Sequence, residues 1–202
     1  MIEYRLKEEF EAYKSDFELI REQIEKEVIR VESYKGEFYE LTPYSYQRNG
    51  FSRGKLIKNT ASIKSTKNLC IYSFNALNRI IEIKIGCSIE NQFYHTFLFY
   101  EENLMRSVLY NNSKRLMNVC HYYLENSRIK RMLLQGLYGS KEENYFYNND
   151  VLTHIEIKQY DSEEKQGATL EYAFQYQKKG ELESVTKSFV GKDYSEIIYK
   201  VK

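Results

Sequence analysis

The sequence predicts an α+β fold that is predominantly antiparallel β: a long N-terminal amphipathic helix packed on a curled meander of roughly ten strands, as a half-barrel or open sheet. Three observations carry this. The hydrophobic period changes from 3.6 to 2 near Lys67. A hairpin-like unit then recurs down the chain to its end. And the aromatic residues are 20 Tyr and 11 Phe with no Trp, a usage that suits a pleated, half-buried surface with rings inward and hydroxyls in water. The whole of 1–202 reads as one domain in three parts.

The first part, 2–34, is expected to be one helix. Phe10, Tyr13, Phe17, Ile20, Ile24, Val28 and Val31 follow one another at steps of three and four residues, which places them on a single stripe. Glu8, Glu9, Glu11, Glu18, Glu22, Glu25 and Glu27 give the other face an acidic character, and Gly36 supplies a stop. The stripe is read as packing on the sheet that follows, with a coiled-coil seam for a partner as the sharper alternative.

The second part, 35–66, is a basic connecting segment. No Asp or Glu occurs from Leu41 to Lys67, whereas Arg48, Arg53, Lys55, Lys58, Lys64 and Lys67 do, with Tyr44, Tyr46 and Phe51 interleaved and a turn at Asn49-Gly50. Cations with aromatics between them suit an acidic protein surface or a phosphate backbone. They equally suit a solvated linker balanced by the acidic helix. Tyr44, Tyr46, Arg48, Arg53, Lys55 and Lys58 are the candidate partner-binding residues.

The third part, 67–202, holds the strands. Ile81, Ile83 and Ile85 alternate with Glu82 and Lys84, and Leu170, Tyr172, Phe174 and Tyr176 alternate with Glu171, Ala173 and Gln175, as in strands with one face buried. Phe93–Tyr100 and Met117–Leu124 are apolar on both faces and need cover on both, one of them from the helix. That double cover favours a sheet curled around the helix. The recurrent unit is an aromatic, a polar turn, then an aliphatic opening the next strand. It appears as Phe74-Asn-Ala-Leu77, Tyr100-Glu-Glu-Asn-Leu104, Tyr123 to Ile129, Tyr147 to Leu152, and Phe174-Gln-Tyr176 through Gly180 to Leu182. Anchors 23–30 residues apart indicate a series of five hairpins.

These units, Phe-Gln-Tyr-Gln-Lys-Lys-Gly-Glu-Leu and Tyr-Glu-Glu-Asn-Leu above all, resemble the Tyr-containing hairpins of YD/RHS-type repeats and their diverged relatives. The resemblance covers roughly 67–194. Such relatives occur in bacterial polymorphic-toxin systems, among them small cytoplasmic proteins encoded beside the toxins. The resemblance implies a toxin-neutralising immunity protein with a protein partner.

The chemistry of the chain points away from catalysis. A net charge of +1 gives no global nucleic-acid footprint, and no apolar run approaches the ~20 residues of a membrane helix. The charged start, with no apolar leader, is read as a cytoplasmic protein. Cys70, Cys87 and Cys120 lack CxxC spacing and read as free thiols. His95 and His121 stand nearly one repeat apart, but their offsets to the following anchors place them on opposite faces unless a bulge intervenes. They are read as structural, with no metal and no cofactor. Glu101-Glu102, Glu142-Glu143 and Glu163-Glu164 are expected in solvated turns, where paired carboxylates cannot do general acid–base work. The function expected is a non-catalytic occluder of a protein partner. Alternatives are a carrier of a small apolar ligand, lined by Phe93, Phe97, Phe99, Tyr172 and Phe174, or a nucleic-acid binder acting through 48–67.

Overall fold

A computed structural model describes residues 4–59, 63 and 65–201. Residues 2 and 3 of the expected helix, and residues 60–62 and 64 of the basic segment, Lys64 among them, lie outside the described residues.

The N-terminal part differs from the single helix its periodicity suggests. It folds as α1 (Tyr4–Ala12), a 3₁₀ turn (Tyr13–Ser15) and α2 (Phe17–Glu27), followed by strand β1 (Arg30–Lys35). Asp16 leaves helical geometry at φ −97°, ψ 5° and restarts the helix, its carbonyl accepting from Ile20 N at 2.9 Å. At the break the Tyr13 carbonyl accepts from Asp16 N at 3.3 Å and also from the Tyr110 hydroxyl at 2.6 Å. At the other end, Val28-Ile29-Arg30-Val31 is rich in β-branched side chains that prefer the pleated backbone. Val28 therefore turns extended, and Val31 sits half-exposed on β1 instead of extending the stripe. Phe10, Phe17, Ile20 and Ile24 are the buried part of the stripe, and Leu6, outside it, is buried with them.

The strands form one thirteen-stranded antiparallel sheet among the described residues, ordered β13-β12-β11-β10-β9-β8-β7-β6-β5-β4-β3-β1-β2 and not closed on itself. After β2 (Lys55–Leu56) come five hairpins: β3 (Leu69–Phe74) with β4 (Ile80–Gly86), β5 (Phe93–Tyr100) with β6 (Leu104–Tyr110), β7 (Leu116–Glu125) with β8 (Arg128–Gly136), β9 (Gly139–Asn148) with β10 (Val151–Asp161), and β11 (Leu170–Tyr176) with β12 (Leu182–Phe189). β13 (Ser195–Lys200) is the far edge. Asn126-Ser127 and Asn149-Asp150 both hold positive φ at paired positions, which matches the right-handed twist of the hairpins they close.

The repeated aromatic has a structural task. Neighbouring hairpins part at the end where these turns lie, and a tyrosine hydroxyl spans the opening. Beyond the last ladder pair Glu82–Phe97, the Tyr100 hydroxyl donates to Ile80 O at 2.7 Å. Beyond Arg131–Asn144, Tyr147 donates to Ile129 O at 3.0 Å. Beyond His154–Ala173, Tyr176 donates to Leu152 O at 2.7 Å. Between β6 and β7 the ladder runs on to Leu104–Tyr123, so that junction needs no such clasp.

Both faces of the sheet are covered, by different segments. The helices pack on one face, against Ile81, Phe97, Val108, Tyr110, Val119 and Leu133. The other face receives the segment 36–54, which leaves the sheet after β1, carries the short helix α3 (Ser45–Asn49), and returns as β2. That segment touches β3 through Tyr72, β9 through Glu143, β11 through Phe174, and β13. In a flat sheet β3 and β13 would lie roughly 48 Å apart at ~4.8 Å per strand. A nineteen-residue excursion reaches both because the sheet curls around it. The curl thus encloses 36–54, and the N-terminal helices lie on the outer face, a reversal of the arrangement expected from sequence.

The neck of this excursion is a backbone-to-backbone contact. Gly36 ends β1 at φ +85°, and a Cβ on Gly54 would fall 2.1 Å from Gly36 O. Only glycine allows the two strands of the neck to cross so closely.

Candidate functional site

Between 36–54 and the inner face of the sheet lies a cavity of about 410 Å³. It exists because the middle strands present short side chains there. Thr96 on β5, Ser107 on β6, and Asn118 and Cys120 on β7 form the floor. Register makes them neighbours, with Ser107 opposite Cys120 and Thr96 opposite Leu109, which in turn faces Asn118. Larger residues surround this floor: Tyr72, Ile83 and Ile85 on one side, Met132, Leu134, Ile157 and Tyr172 on the other. Tyr39, Leu41, Ser45 and Arg48 close it from the inner segment.

One wall carries a buried ion cluster. Glu143, 2% exposed, receives Arg48 Nη2 at 3.1 Å, Lys141 Nζ at 2.8 Å and the Tyr145 hydroxyl at 2.6 Å. Burial alone would raise the Glu143 carboxyl, but Lys141 and Arg48 outweigh it and hold the group below the usual carboxylate range. Burial and the adjoining Glu143 charge raise the Tyr145 phenol, so it stays a donor. The Arg48 guanidinium also stacks 4.8 Å over Tyr172. Its Nε is buried and meets no hydrogen-bond partner among the described residues. Glu37 lines the same cavity, its carboxyl pushed up by burial and by nearby Glu40.

On the floor, Ser107 Oγ and the Tyr122 hydroxyl are 3.4 Å apart, and Cys120 Sγ lies 3.8 Å from Asn118 Oδ1. Burial raises the Cys120 thiol to about 11, which keeps it protonated and unreactive.

The residues singled out from sequence separate into two groups. Tyr46 and Arg48 turn inward and are buried, and Tyr44, at φ +56°, packs its ring on Phe174 and Tyr176. Arg53, Lys55 and Lys58 are exposed, with Arg53 stacked 3.9 Å over Phe38. The six therefore do not form one surface. The proposed apolar lining is divided as well: Phe97 and Phe99 face the helices, whereas Tyr172 and Phe174 face inward.

Glu142-Glu143 sits within β9 and not in a turn, so strand alternation sends Glu142 to Arg131 at 2.7 Å and Glu143 into the cavity wall. His95 and His121 do share a face, since they pair with Tyr110 and Arg106, four residues apart on β6, and it is the anchor Ile129 that passes to the other face, at the bulge Tyr123/Leu124. The two histidines meet Glu82 at 3.0 Å and Glu9 at 2.7 Å, in the helix-side layer away from the cavity. Ser107, Asn118 and Lys141 are cavity residues that the sequence did not single out, and Glu143 was expected in a solvated turn. Asn118 had one signal, a polar side chain interrupting the otherwise apolar run Met117–Leu124.

No protein-family model matches the chain, and no curated protein matches it. Among the described residues no group of three His, Cys, Asp or Glu side chains could hold a metal ion, and no helix is long and apolar enough to cross a membrane.

Proposed function

We propose that this protein is a non-catalytic binding protein that holds a small molecule inside its curled sheet, beneath the segment 36–54. The cavity of about 410 Å³ carries this reading, since its volume falls in the ~300–1,000 Å³ range of small-molecule sites. Its walls combine aliphatic side chains with a few fixed polar groups, the composition that orients a ligand as well as burying it. The lining suits an amphipathic ligand with one polar end, where the carrier alternative drawn from the sequence had a small apolar one. The test is a ligand-observed NMR screen of a fragment library on the wild type and on Ser107→Leu, which fills the floor. Compounds that bind only the wild type support the reading. Absence of any such compound overturns it.

A second reading is occlusion of a protein partner, in the manner of the toxin-neutralising proteins that the hairpin units resemble. It is favoured by the open edge at β13, where Val190, Tyr194 and Ile197 are exposed. Binding and neutralisation of the product of the adjacent gene would support this reading, and failure to bind that product would end it.

A further inference from the structure

Of the described residues lining the cavity, four carry charge, and they cancel: Arg48 and Lys141 stand against Glu143 and Glu37. Both cations are spent on Glu143, Arg48 at 3.1 Å and Lys141 at 2.8 Å. Glu37 stands near the neck, where it also lines an adjoining cavity beside Lys35 and Asn68. An anion entering here would meet no free cation, and a cation would be set beside Arg48 and Lys141. Either would give up its hydration for little in return.

The hydrogen-bonding capacity of the floor, by contrast, is not used up. Ser107 has the Tyr122 hydroxyl at 3.4 Å, and on the wall Tyr72 accepts from Phe38 N at 2.9 Å. Thr96 Oγ1 has no partner among the described residues. Asn118 has only the weak contact of its Oδ1 with Cys120 Sγ at 3.8 Å, which leaves its amide N–H groups unpaired among the described residues. Asn118 is only partly buried, so water reaches this amide and a ligand can take the water's place. Register fixes the spacing of the two groups. Thr96 and Asn118 flank Leu109 on neighbouring strands, two strand spacings or roughly 10 Å apart.

We propose that the ligand of this cavity is an uncharged primary carboxamide, its amide paired edge to edge with the Asn118 side chain and its short apolar body crossing Leu109 towards Thr96. This rests on the reading of the cavity as a ligand site. The Asn118 amide offers N–H donors and a carbonyl acceptor in one plane, and a second primary amide returns one acceptor and one donor in that same plane. A carboxylate only accepts and an ammonium only donates, so each leaves half of Asn118 unserved besides bringing a charge. An alcohol does both through a single atom, and so meets one side of the amide at a time. Ile83, opposite Thr96, and Leu134, opposite Cys120, give the apolar body its flanks.

Ligand-observed NMR titration with hexanamide, hexanoate, hexylamine and hexanol at neutral pH tests this. The wild type is expected to bind hexanamide at least tenfold more tightly than each of the other three. Asn118→Leu is expected to remove that preference and bring hexanamide to the level of hexanol. Tighter binding of hexanoate or hexylamine by the wild type would overturn the uncharged head group. Equal binding of hexanol would overturn the amide pairing while leaving the cavity a ligand site. An Asn118→Leu protein that keeps the full preference would overturn the assignment to Asn118. No binding of hexanamide would overturn the proposal even where the fragment screen finds other ligands, so the two failures are distinguishable. The decisive comparison is made on the wild type, and so does not depend on any variant folding.

Discussion

Arg48 on the inner segment and Glu143 on β9, 95 residues apart in sequence, meet at 3.1 Å with less than a tenth of either side chain exposed. The contact fixes the inner segment to the middle of the sheet. Lys141 and Tyr145 complete the shell around the carboxylate, so the seating of the segment and the electrostatics of the cavity share one residue.

The first expected outcome concerns pH. Glu143 has a folded-state pKa below its unfolded value, so its contribution to stability is fully present above the unfolded value, about 4.3, and is lost as the pH falls through the folded value. Glu143→Gln removes the charge that pairs with buried Arg48 and part-exposed Lys141 and should cost about 3 kcal/mol at neutral pH. In urea melts the gap between wild type and variant should stay constant from pH 8 to about pH 5 and narrow below about pH 4. A gap that does not narrow in acid would contradict the assignment.

The tyrosine clasps give a second outcome. Tyr100→Phe and Tyr176→Phe each strand a carbonyl, Ile80 O and Leu152 O, and should each cost about 1 kcal/mol. The two junctions are on different hairpins, so the double variant should show the sum within about 0.5 kcal/mol. Tyr123→Phe lies at the junction whose ladder is continuous, and should be less costly than either.

A third outcome follows from the neck. Gly54→Ala places a methyl against Gly36 O, where backbone on both sides has to move. The variant should lose affinity for any ligand of the cavity and show faster amide exchange across 37–53 than the wild type. The helix-side layer around Phe97 should be unaffected.

The outer layer gives a fourth. Phe17 packs on Phe97 at 5.8 Å and on Tyr110 at 5.1 Å between ring centroids. Phe17→Ala should cost about 3–5 kcal/mol in a denaturant melt. Binding to the cavity, on the opposite face of the sheet, should persist under native conditions.

Local signals made much of the fold legible. Alternation and turn residues marked the five hairpins, and the spacing of Tyr100, Tyr147 and Tyr176 from the anchors proved to have a hydrogen-bonding reason. The end of the helix was hidden because Val28 and Val31 fit a helical stripe while their β-branched chemistry favours a strand. The seat of 36–54 was hidden for a different reason. Its contacts, from Phe38 N to the Tyr72 hydroxyl through Arg48 to Glu143, are long-range, and a basic, Tyr-containing run looks the same in sequence whether it faces water or a buried acid. Glu142-Glu143 misled in the same way, since strand register alone decides that one acid is buried and its neighbour is not.

The most direct test of the central claim, that 36–54 is seated within the curled sheet and roofs a cavity there, is a double-mutant cycle between Arg48→Met and Glu143→Gln, measured by urea denaturation at pH 7. A buried, directly bonded pair should give a coupling of about 2 kcal/mol, with the double variant more stable than the sum of the two single losses implies. A coupling within about 0.3 kcal/mol of zero would mean that the two residues do not meet and that the segment does not occupy the interior.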